Sequence, residues 1–249
     1  MISYSRNFED VILQRVLADV ERGCYVDIGA SHPIADSNTY AFYEKGWRGI
    51  CAEPLGYGAL WDEERIEDVF VNAALGAKAG ETTFYVYRET PQISTGSSAT
   101  VQTWREGGRA PDETVTVPVL TLNNLLDEHL EGRPVHLLSI DVEGMEKEVL
   151  QGLDLRKHRP WIVVLESTRP GTPVPDHEGW EPILLSAGYA LAYVDGLNRF
   201  YLADERKDLR ARFALPPNVF DQFVLARELE LRKKCAELEA KLAASGKSR

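Results

Sequence analysis

Four acidic side chains follow short apolar runs of the sequence, close to the point where each run gives way to a turn. They are Asp27, Glu53, Asp141 and Glu166. The apolar runs do not alternate with polar residues, and segments of helical spacing separate them, which indicates parallel strands buried on both faces. Ligands of such sheets bind in a crevice beyond the carboxyl ends of the strands. We therefore expect these four carboxylates to surround one ligand site.

The turn after Asp27 distinguishes between two nucleoside ligands. Gly29 allows the backbone to approach a ligand closely, and Glu53 can accept hydrogen bonds from both hydroxyls of a ribose. A dinucleotide site also needs the pattern Gly-x-Gly-x-x-Gly, so that a pyrophosphate can lie on a helix N-terminus. Residues 29–34 are Gly-Ala-Ser-His-Pro-Ile and contain one glycine. The sequence therefore favours S-adenosylmethionine, which has no pyrophosphate, and leaves a nicotinamide-dependent oxidoreductase as the alternative enzyme.

The order of strands and helices predicts one α/β domain. With helices in most of the intervals, strands are predicted over residues 24–29, 49–52, 68–71, 82–87, 115–119, 135–140, 161–165, 190–194 and 199–202. The turn at Asp195-Gly196 predicts that the last two strands form an antiparallel hairpin. A doubly wound, mostly parallel, seven-stranded sheet with one antiparallel strand is the Rossmann-like layout of class I methyltransferases. Residues 92–111, rich in Gly, Ser and Thr, are predicted to be a mobile loop.

The C-terminal part has a different pattern. We predict a methyltransferase-type domain over residues 1–215 and a helical tail over residues 216–249. In the tail, apolar side chains recur at steps of four, three and four, as in a heptad seam: Leu231, Cys235, Leu238 and Leu242. The seam is about two heptads long, shorter than the three or four that define a coiled coil. It favours either a homo-oligomer formed through this helix or a connection to a further domain.

The composition narrows the classes of partner. The chain has 249 residues and a formal net charge of -11, which disfavours nucleic acid, because phosphates need clustered Lys and Arg. The N-terminus is polar, unlike a signal peptide, and no apolar run approaches the ~20 residues of a membrane span. The three cysteines lack the spacing of metal ligands. We expect a cytoplasmic protein that binds a small-molecule or saccharide acceptor.

Four segments in a fixed order resemble the FkbM family of methyltransferases. They are residues 25–30, 46–54, 72–76 and 139–146, and the last of them, Ser-Ile-Asp-Val-Glu-Gly-Met-Glu, is the most specific. The resemblance implies an S-adenosylmethionine-dependent O-methyltransferase that acts on sugars, polysaccharides or other secondary metabolites. Where many members carry Asn and a second Gly, this chain has Ser31-His32-Pro33.

The resemblance also implies which residues bind the methyl donor. Asp27 and Gly29 would border its methionine part, and Glu53 would hold its ribose. Asn72 and Ala73 would lie near its adenine. The full set of donor-binding candidates is Asp27, Gly29, Ser37, Glu53, Asn72, Ala73 and Asp141.

Methyl transfer to an alcohol needs a base or a metal beside the hydroxyl, because a protonated alcohol is a poor nucleophile. Asp141 is the first catalytic candidate, followed by Glu166 and His32. Asp141 and Glu166 also suit Mg²⁺, so dependence on a divalent metal stays open. Glu143 and Glu146 can serve either a helix dipole or the chemistry. A third functional class is a non-catalytic, methyltransferase-like assembly protein that associates through its C-terminal helix.

Overall fold

The structure is a computed structural model that describes residues 1–246 of the chain. In these residues the strands are β1 (Ile2–Ser3), β2 (Cys24–Ile28), β3 (Arg48–Ala52), β4 (Val69–Val71), β5 (Ala74–Leu75), β6 (Gly80–Val86), β7 (Glu113–Leu120), β8 (Leu137–Ile140), β9 (Ile162–Glu166), β10 (Tyr189–Val194), β11 (Asn198–Ala203) and β12 (Val224–Leu225). The α-helices are α1 (Glu9–Val16), α2 (Tyr40–Tyr43), α3 (Gly58–Glu64), α4 (Ser98–Glu106), α5 (Leu122–His129), α6 (Glu146–Gln151), α7 (Glu181–Ser186) and α8 (Ala226–Gly246).

The largest sheet has the strand order β10-β11-β9-β8-β2-β3-β4. The strands from β9 to β4 are parallel neighbours, whereas β11 runs antiparallel to both β9 and β10. The prediction of a mixed α/β fold with a mostly parallel sheet is confirmed, and so is the hairpin formed by the last two strands. Every strand predicted from the sequence is present, with shifted ends.

Both faces of this sheet are buried. Along β2, Val26 packs into a core that includes Leu125 of α5 and Leu150 of α6, while Tyr25 packs into a second core with Ile12 of α1. Successive side chains of a strand point to opposite faces, so the strand itself must be apolar throughout. This is why the sequence of β2 shows no alternation.

The register of the sheet brings the predicted site residues to one edge. Ile28 lies opposite Ala52 of β3 and Ile140 of β8, so all three strands end at the same level. The backbone N–H of Asp141 donates to the carbonyl of Ile28, at 2.9 Å between N and O. Residues 27–29, 53 and 141 therefore surround a common edge.

A second, three-stranded sheet with the order β5-β7-β6 packs beside this edge. The prediction that residues 92–111 form a loop was wrong for the part that folds as α4. Its N-cap is Ser97, whose side chain accepts a hydrogen bond from the backbone N–H of Thr100. The Ser and Thr residues that suggested a loop cap this helix and fix the turn that precedes it.

The two ends of the described chain pair with each other. Strand β1 pairs with β12 in parallel, and the N-terminal ammonium of Met1 donates to the carbonyl of Gln222. Helix α8 follows β12 directly and falls within the predicted helical tail, of which residues 247–249 lie outside the described part. The heptad positions Leu231, Cys235 and Leu238 are exposed along α8. Self-association through this helix stays a prediction.

Two other features of the sequence have a simple structural counterpart. Cys24 and Cys51 are buried and form no disulfide. Among the described residues, none of the helices has both the length and the apolar composition that crossing a bilayer requires.

The backbone of Asp141 packs closely against Gly29, and substitution of this glycine tests the arrangement of the strand ends. Gly29 has a φ of +78°, and a Cβ there would lie 1.7 Å from the carbonyl oxygen of Asp141. Gly46 has a similar φ of +87° but open space around it. We expect Gly46→Ala to cost about 1 kcal/mol of folding free energy, from its φ alone. Gly29→Ala should cost about 3 kcal/mol or more, because two strand ends must separate. Denaturant unfolding of both variants measures this, and equal losses would contradict it.

Candidate functional site

Two cavities open beyond the carboxyl ends of β2, β3 and β8. The first, of about 260 Å³, is called the apolar cavity after the side chains Ile28, Ala52, Pro54, Ala73, Leu75, Phe84, Val119 and Met145. The second, of about 240 Å³, is called the polar cavity after the side chains Arg6, Glu9, Asp27, His32, Asp36, Asn38, Tyr57 and Glu166. Both are also lined by Gly29, Ser31, Gln92 and Asp141. Asp141 therefore lies where the two cavities meet.

Glu53 is fixed in the wall of the apolar cavity. Its Oε2 accepts a hydrogen bond from the backbone N–H of Ser31, at 3.1 Å, and its Oε1 accepts one from the N–H of Leu55, at 2.9 Å. Burial raises the pKa of Glu53 to about 7. A carboxylate held in this way has a free lone pair on each oxygen, which suits a ligand that offers two hydroxyl donors.

Ala73 lines the apolar cavity, but Asn72 does not. The side-chain amide of Asn72 donates to the carbonyls of Glu53, at 2.8 Å, and Leu55, at 3.2 Å. The Asn72 side chain therefore links two residues of the loop that follows β3. The Asn72 amide is the donor to the carbonyl of Glu53, and it shares the carbonyl of Leu55 with the backbone N–H of Tyr57. The expected place of Asn72 beside adenine stays a prediction.

Asp27 and Ser37 line the polar cavity, and each already has protein partners. Asp27 Oδ2 accepts a hydrogen bond from the hydroxyl of Thr39, at 2.7 Å, and burial raises the pKa of the Asp27 carboxyl. The hydroxyl of Ser37 accepts hydrogen bonds from the backbone N–H groups of Thr39 and Tyr40. Both side chains therefore fix the loop that leads into α2, besides facing the cavity.

His32 lies in the wall of the polar cavity with one ring nitrogen occupied. Its Nδ1 accepts hydrogen bonds from the backbone N–H groups of Ile34 and Ala35, both at 3.0 Å. Burial lowers the pKa of His32, which favours the neutral ring. Because Nδ1 accepts two hydrogen bonds, the proton of the neutral ring is on Nε2. In this state His32 can donate a hydrogen bond to a ligand, whereas the base role expected from the sequence would require a free nitrogen lone pair.

Asp141, Glu143 and Glu166 form a carboxylate cluster at the junction of the cavities. One oxygen from each lies within 4.8 Å of the other two. Burial and the neighbouring Asp141 raise the pKa of Glu143 to about 8 and that of Glu166 to about 11. The prediction that Asp141 and Glu166 meet at the ends of adjacent strands agrees with their positions in the structure. The sequence had left the role of Glu143 open.

The position of Glu143 depends on contacts that the sequence did not reveal. Its φ of +53° turns the chain sharply after Asp141. Its carbonyl accepts hydrogen bonds from the hydroxyls of Thr95, at 2.9 Å, and Thr100, at 3.1 Å. Glu146 closes the same turn by accepting hydrogen bonds from the backbone N–H groups of Val142 and Gly144. The segment between β6 and β7 thus fixes Glu143, although 43 residues separate Thr100 from it.

The site residues can now be compared with known proteins. The family model described as the methyltransferase FkbM domain matches residues 27–191. The chain belongs to the FkbM methyltransferase family. The matched range contains every predicted site residue, from Asp27 to Glu166, and it ends within β10. Arg6 and Glu9 of the polar cavity lie outside it, so part of that wall comes from outside the FkbM domain. A comparison with curated proteins found no match.

The buried carboxyl groups predict an unusual dependence of stability on pH. Burial raises the pKa of Glu9 and of Glu53 from 4.5 to about 7. The folded protein then binds more protons than the unfolded chain between these values, so its stability falls as the pH rises through this window. Between pH 5.5 and 8, each of the two groups should cost about 2 kcal/mol.

Calorimetry in buffers that contain EDTA tests this expectation. The Tm should be lower at pH 8 than at pH 5.5. The decline should be smaller in Glu53→Gln, and unchanged in Glu128→Gln, which alters an exposed side chain on α5. A wild-type Tm that stays constant or rises over this range would contradict the assignment.

Proposed function

We propose that the protein is an S-adenosylmethionine-dependent O-methyltransferase that methylates a hydroxyl of a sugar, a polysaccharide or a glycosylated metabolite. The proposal rests on one observation above the others. An apolar cavity with a fixed carboxylate, Glu53, joins a polar cavity at Asp141. Membership of the FkbM family supports transfer of a methyl group. The strand order of the large sheet also fits the class I methyltransferase layout.

The residues of the apolar cavity suit the nucleoside part of the donor. Its aliphatic and aromatic wall offers a surface for adenine, and Glu53 offers acceptors for both ribose hydroxyls. Asp27 and Asp141 supply negative charge toward the ammonium group of the methionine part. Each cavity is somewhat smaller than the roughly 300–1,000 Å³ of common ligand sites. Because the cavities share four lining residues, the donor and the acceptor can occupy them jointly.

The polar cavity suits a polyhydroxylated acceptor. Its side chains carry hydroxyl, amide, imidazole, guanidinium and carboxylate groups, and few of them are apolar. Such a wall can exchange many hydrogen bonds with a sugar, while its several carboxylates disfavour a phosphate-rich or nucleic-acid acceptor. His32, with its proton on Nε2, would donate to an acceptor oxygen. The aromatic side chain of Tyr57 lies beside His32 in this wall, at 6.2 Å between ring centroids.

S-adenosylmethionine, when bound, supplies an electrophilic methyl group. The chain contributes position and a proton acceptor. The acceptor oxygen gives an electron pair to the methyl carbon as the carbon–sulfur bond breaks, and the electrons of that bond stay on sulfur. The hydroxyl proton passes to the carboxylate of Asp141, with Glu166 beside it. We assign this chemistry to the domain of residues 1–215 and none of it to the helical tail of residues 216–249.

Donor binding separates this function from nicotinamide chemistry. We expect S-adenosylhomocysteine to raise the Tm and NAD to leave it unchanged. Glu53→Gln should weaken binding of S-adenosylhomocysteine about 10- to 100-fold, because it loses a charged acceptor for the ribose. Glu128→Gln should bind as the wild type does. Isothermal titration calorimetry gives the affinities, and a rise in Tm with NAD alone would contradict the proposal.

Turnover depends on Asp141 in a different way. Asp141→Asn should lower the rate of methyl transfer about 10²- to 10⁴-fold, the usual contribution of a general base. Affinity for S-adenosylhomocysteine should fall much less than the rate, because Asp27 still supplies negative charge toward the ammonium group. Transfer of a radiolabelled methyl group to a panel of neutral sugars and glycosides measures the rate. If Asp141→Asn turned over at the wild-type rate, Asp141 would not be the proton acceptor.

A further inference from the structure

The spacing within the carboxylate cluster of Asp141, Glu143 and Glu166 matches that of metal ligands. One oxygen of each side chain lies within 4.8 Å of the other two. Two oxygens bound to one Mg²⁺ or Ca²⁺ ion can be no farther apart than twice the metal–oxygen distance, or about 4–5 Å. Three carboxylates at this spacing repel one another unless protons or a cation neutralise them.

Two oxygens of this cluster have no partner. Glu143 Oε2 and Glu166 Oε2 are buried and accept no hydrogen bond from any described residue. The side chains themselves are 9% and 8% exposed. Leaving a buried carboxylate oxygen without a donor costs free energy that folded proteins ordinarily avoid.

Other buried carboxylates of the same site show the contrast. Glu53 and Glu146 each accept hydrogen bonds from two backbone N–H groups. The described residues thus supply donors to Glu53 and Glu146 but none to Glu143 Oε2 or Glu166 Oε2, although the Glu166 carboxyl group also interacts with Asp141. Those two oxygens are left available to a ligand that is itself positively charged.

The described residues also provide no ion pair to the cluster. Arg6 is the cationic side chain in the polar cavity, and its guanidinium lies 3.9 Å from Asp36, with about half of the side chain exposed. The buried Arg65 is engaged by Asp68, at 2.7 Å. Neither forms a salt bridge with any of the three carboxylates, so the charge of Arg6 acts on Asp141 and Glu143 only from a distance.

We propose that Asp141, Glu143 and Glu166 bind one divalent cation of the Mg²⁺ and Ca²⁺ class. The three ligands are carboxylate oxygens, which these hard cations prefer, and no nitrogen or sulfur ligand belongs to the set. Asp141 is exposed where the two cavities meet, which leaves coordination positions open to water or to an acceptor oxygen. The role of the cation in catalysis rests on the proposed function: it would hold the acceptor hydroxyl and favour the loss of its proton.

Binding of the metal alone tests the site without any assay of activity. The full chain is stripped with EDTA, desalted and titrated with Mg²⁺, Ca²⁺ and Mn²⁺ by calorimetry, and Mn²⁺ binding is counted by electron paramagnetic resonance. We expect one bound cation per chain and a higher Tm. Glu143→Gln and Glu166→Gln should each weaken cation binding at least tenfold. Glu148→Gln, which removes one charge from the wall of the apolar cavity outside the cluster, should stay within twofold of the wild type.

Either of two results would overturn the site. One is the absence of saturable binding by the wild type at about 10 mM of each cation. The other is an equal loss in Glu148→Gln and Glu143→Gln, which would indicate diffuse attraction by an acidic surface. Circular dichroism and Tm verify that each variant is folded, and the wild-type count of Mn²⁺ does not depend on any variant.

Titration with S-adenosylhomocysteine in EDTA separates this inference from the proposed function. If the nucleoside binds and no cation does, the metal site is wrong and the methyltransferase proposal stands. If a cation binds with the expected variant pattern and the nucleoside does not bind, the metal site stands and the proposed function fails.

Discussion

The contact between Gly29 and the backbone of Asp141 is the constraint on which the rest of the site depends. Two neighbouring parallel strands end at the same level, and the chain leaves both ends through sharp turns. Because a glycine stands at the first turn, the second can pass within van der Waals distance of it. Asp141 is thereby placed between the apolar cavity and the polar cavity. Any side chain at position 29 would collide with the backbone of Asp141 and displace it.

Negative charge is the main energetic cost of this arrangement. Burial raises the pKa of several carboxyl groups around the two cavities and so favours their protonated forms. Ligands that bring hydroxyl donors, an ammonium group or a cation relieve that cost, and part of their binding free energy comes from doing so. Among the described residues, Lys78 lines the apolar cavity and Arg6 the polar cavity, so carboxylates outnumber cationic side chains in both walls.

Much of the fold followed from the sequence because the strands of the large sheet are apolar throughout and end at acidic residues. The positions of Glu53, Asp141 and Glu166 followed for the same reason. The helix α4 did not, because Thr100 in the helix and Thr95 before it donate hydrogen bonds to the carbonyl of Glu143, which is distant in the sequence. The hydrogen bonds of His32 and Asn72 could not be predicted from the sequence either. Both side chains bond to backbone groups that only the folded loops bring near them.

The wall of the polar cavity is built from two separate parts of the chain, one of which is held in place by the pairing of β1 with β12. Most of its lining residues belong to the FkbM domain. Arg6 and Glu9 belong to the N-terminal segment, whose strand β1 pairs with β12. Under the proposed function, changes in this N-terminal segment would alter the wall that faces the acceptor while the FkbM domain stays the same.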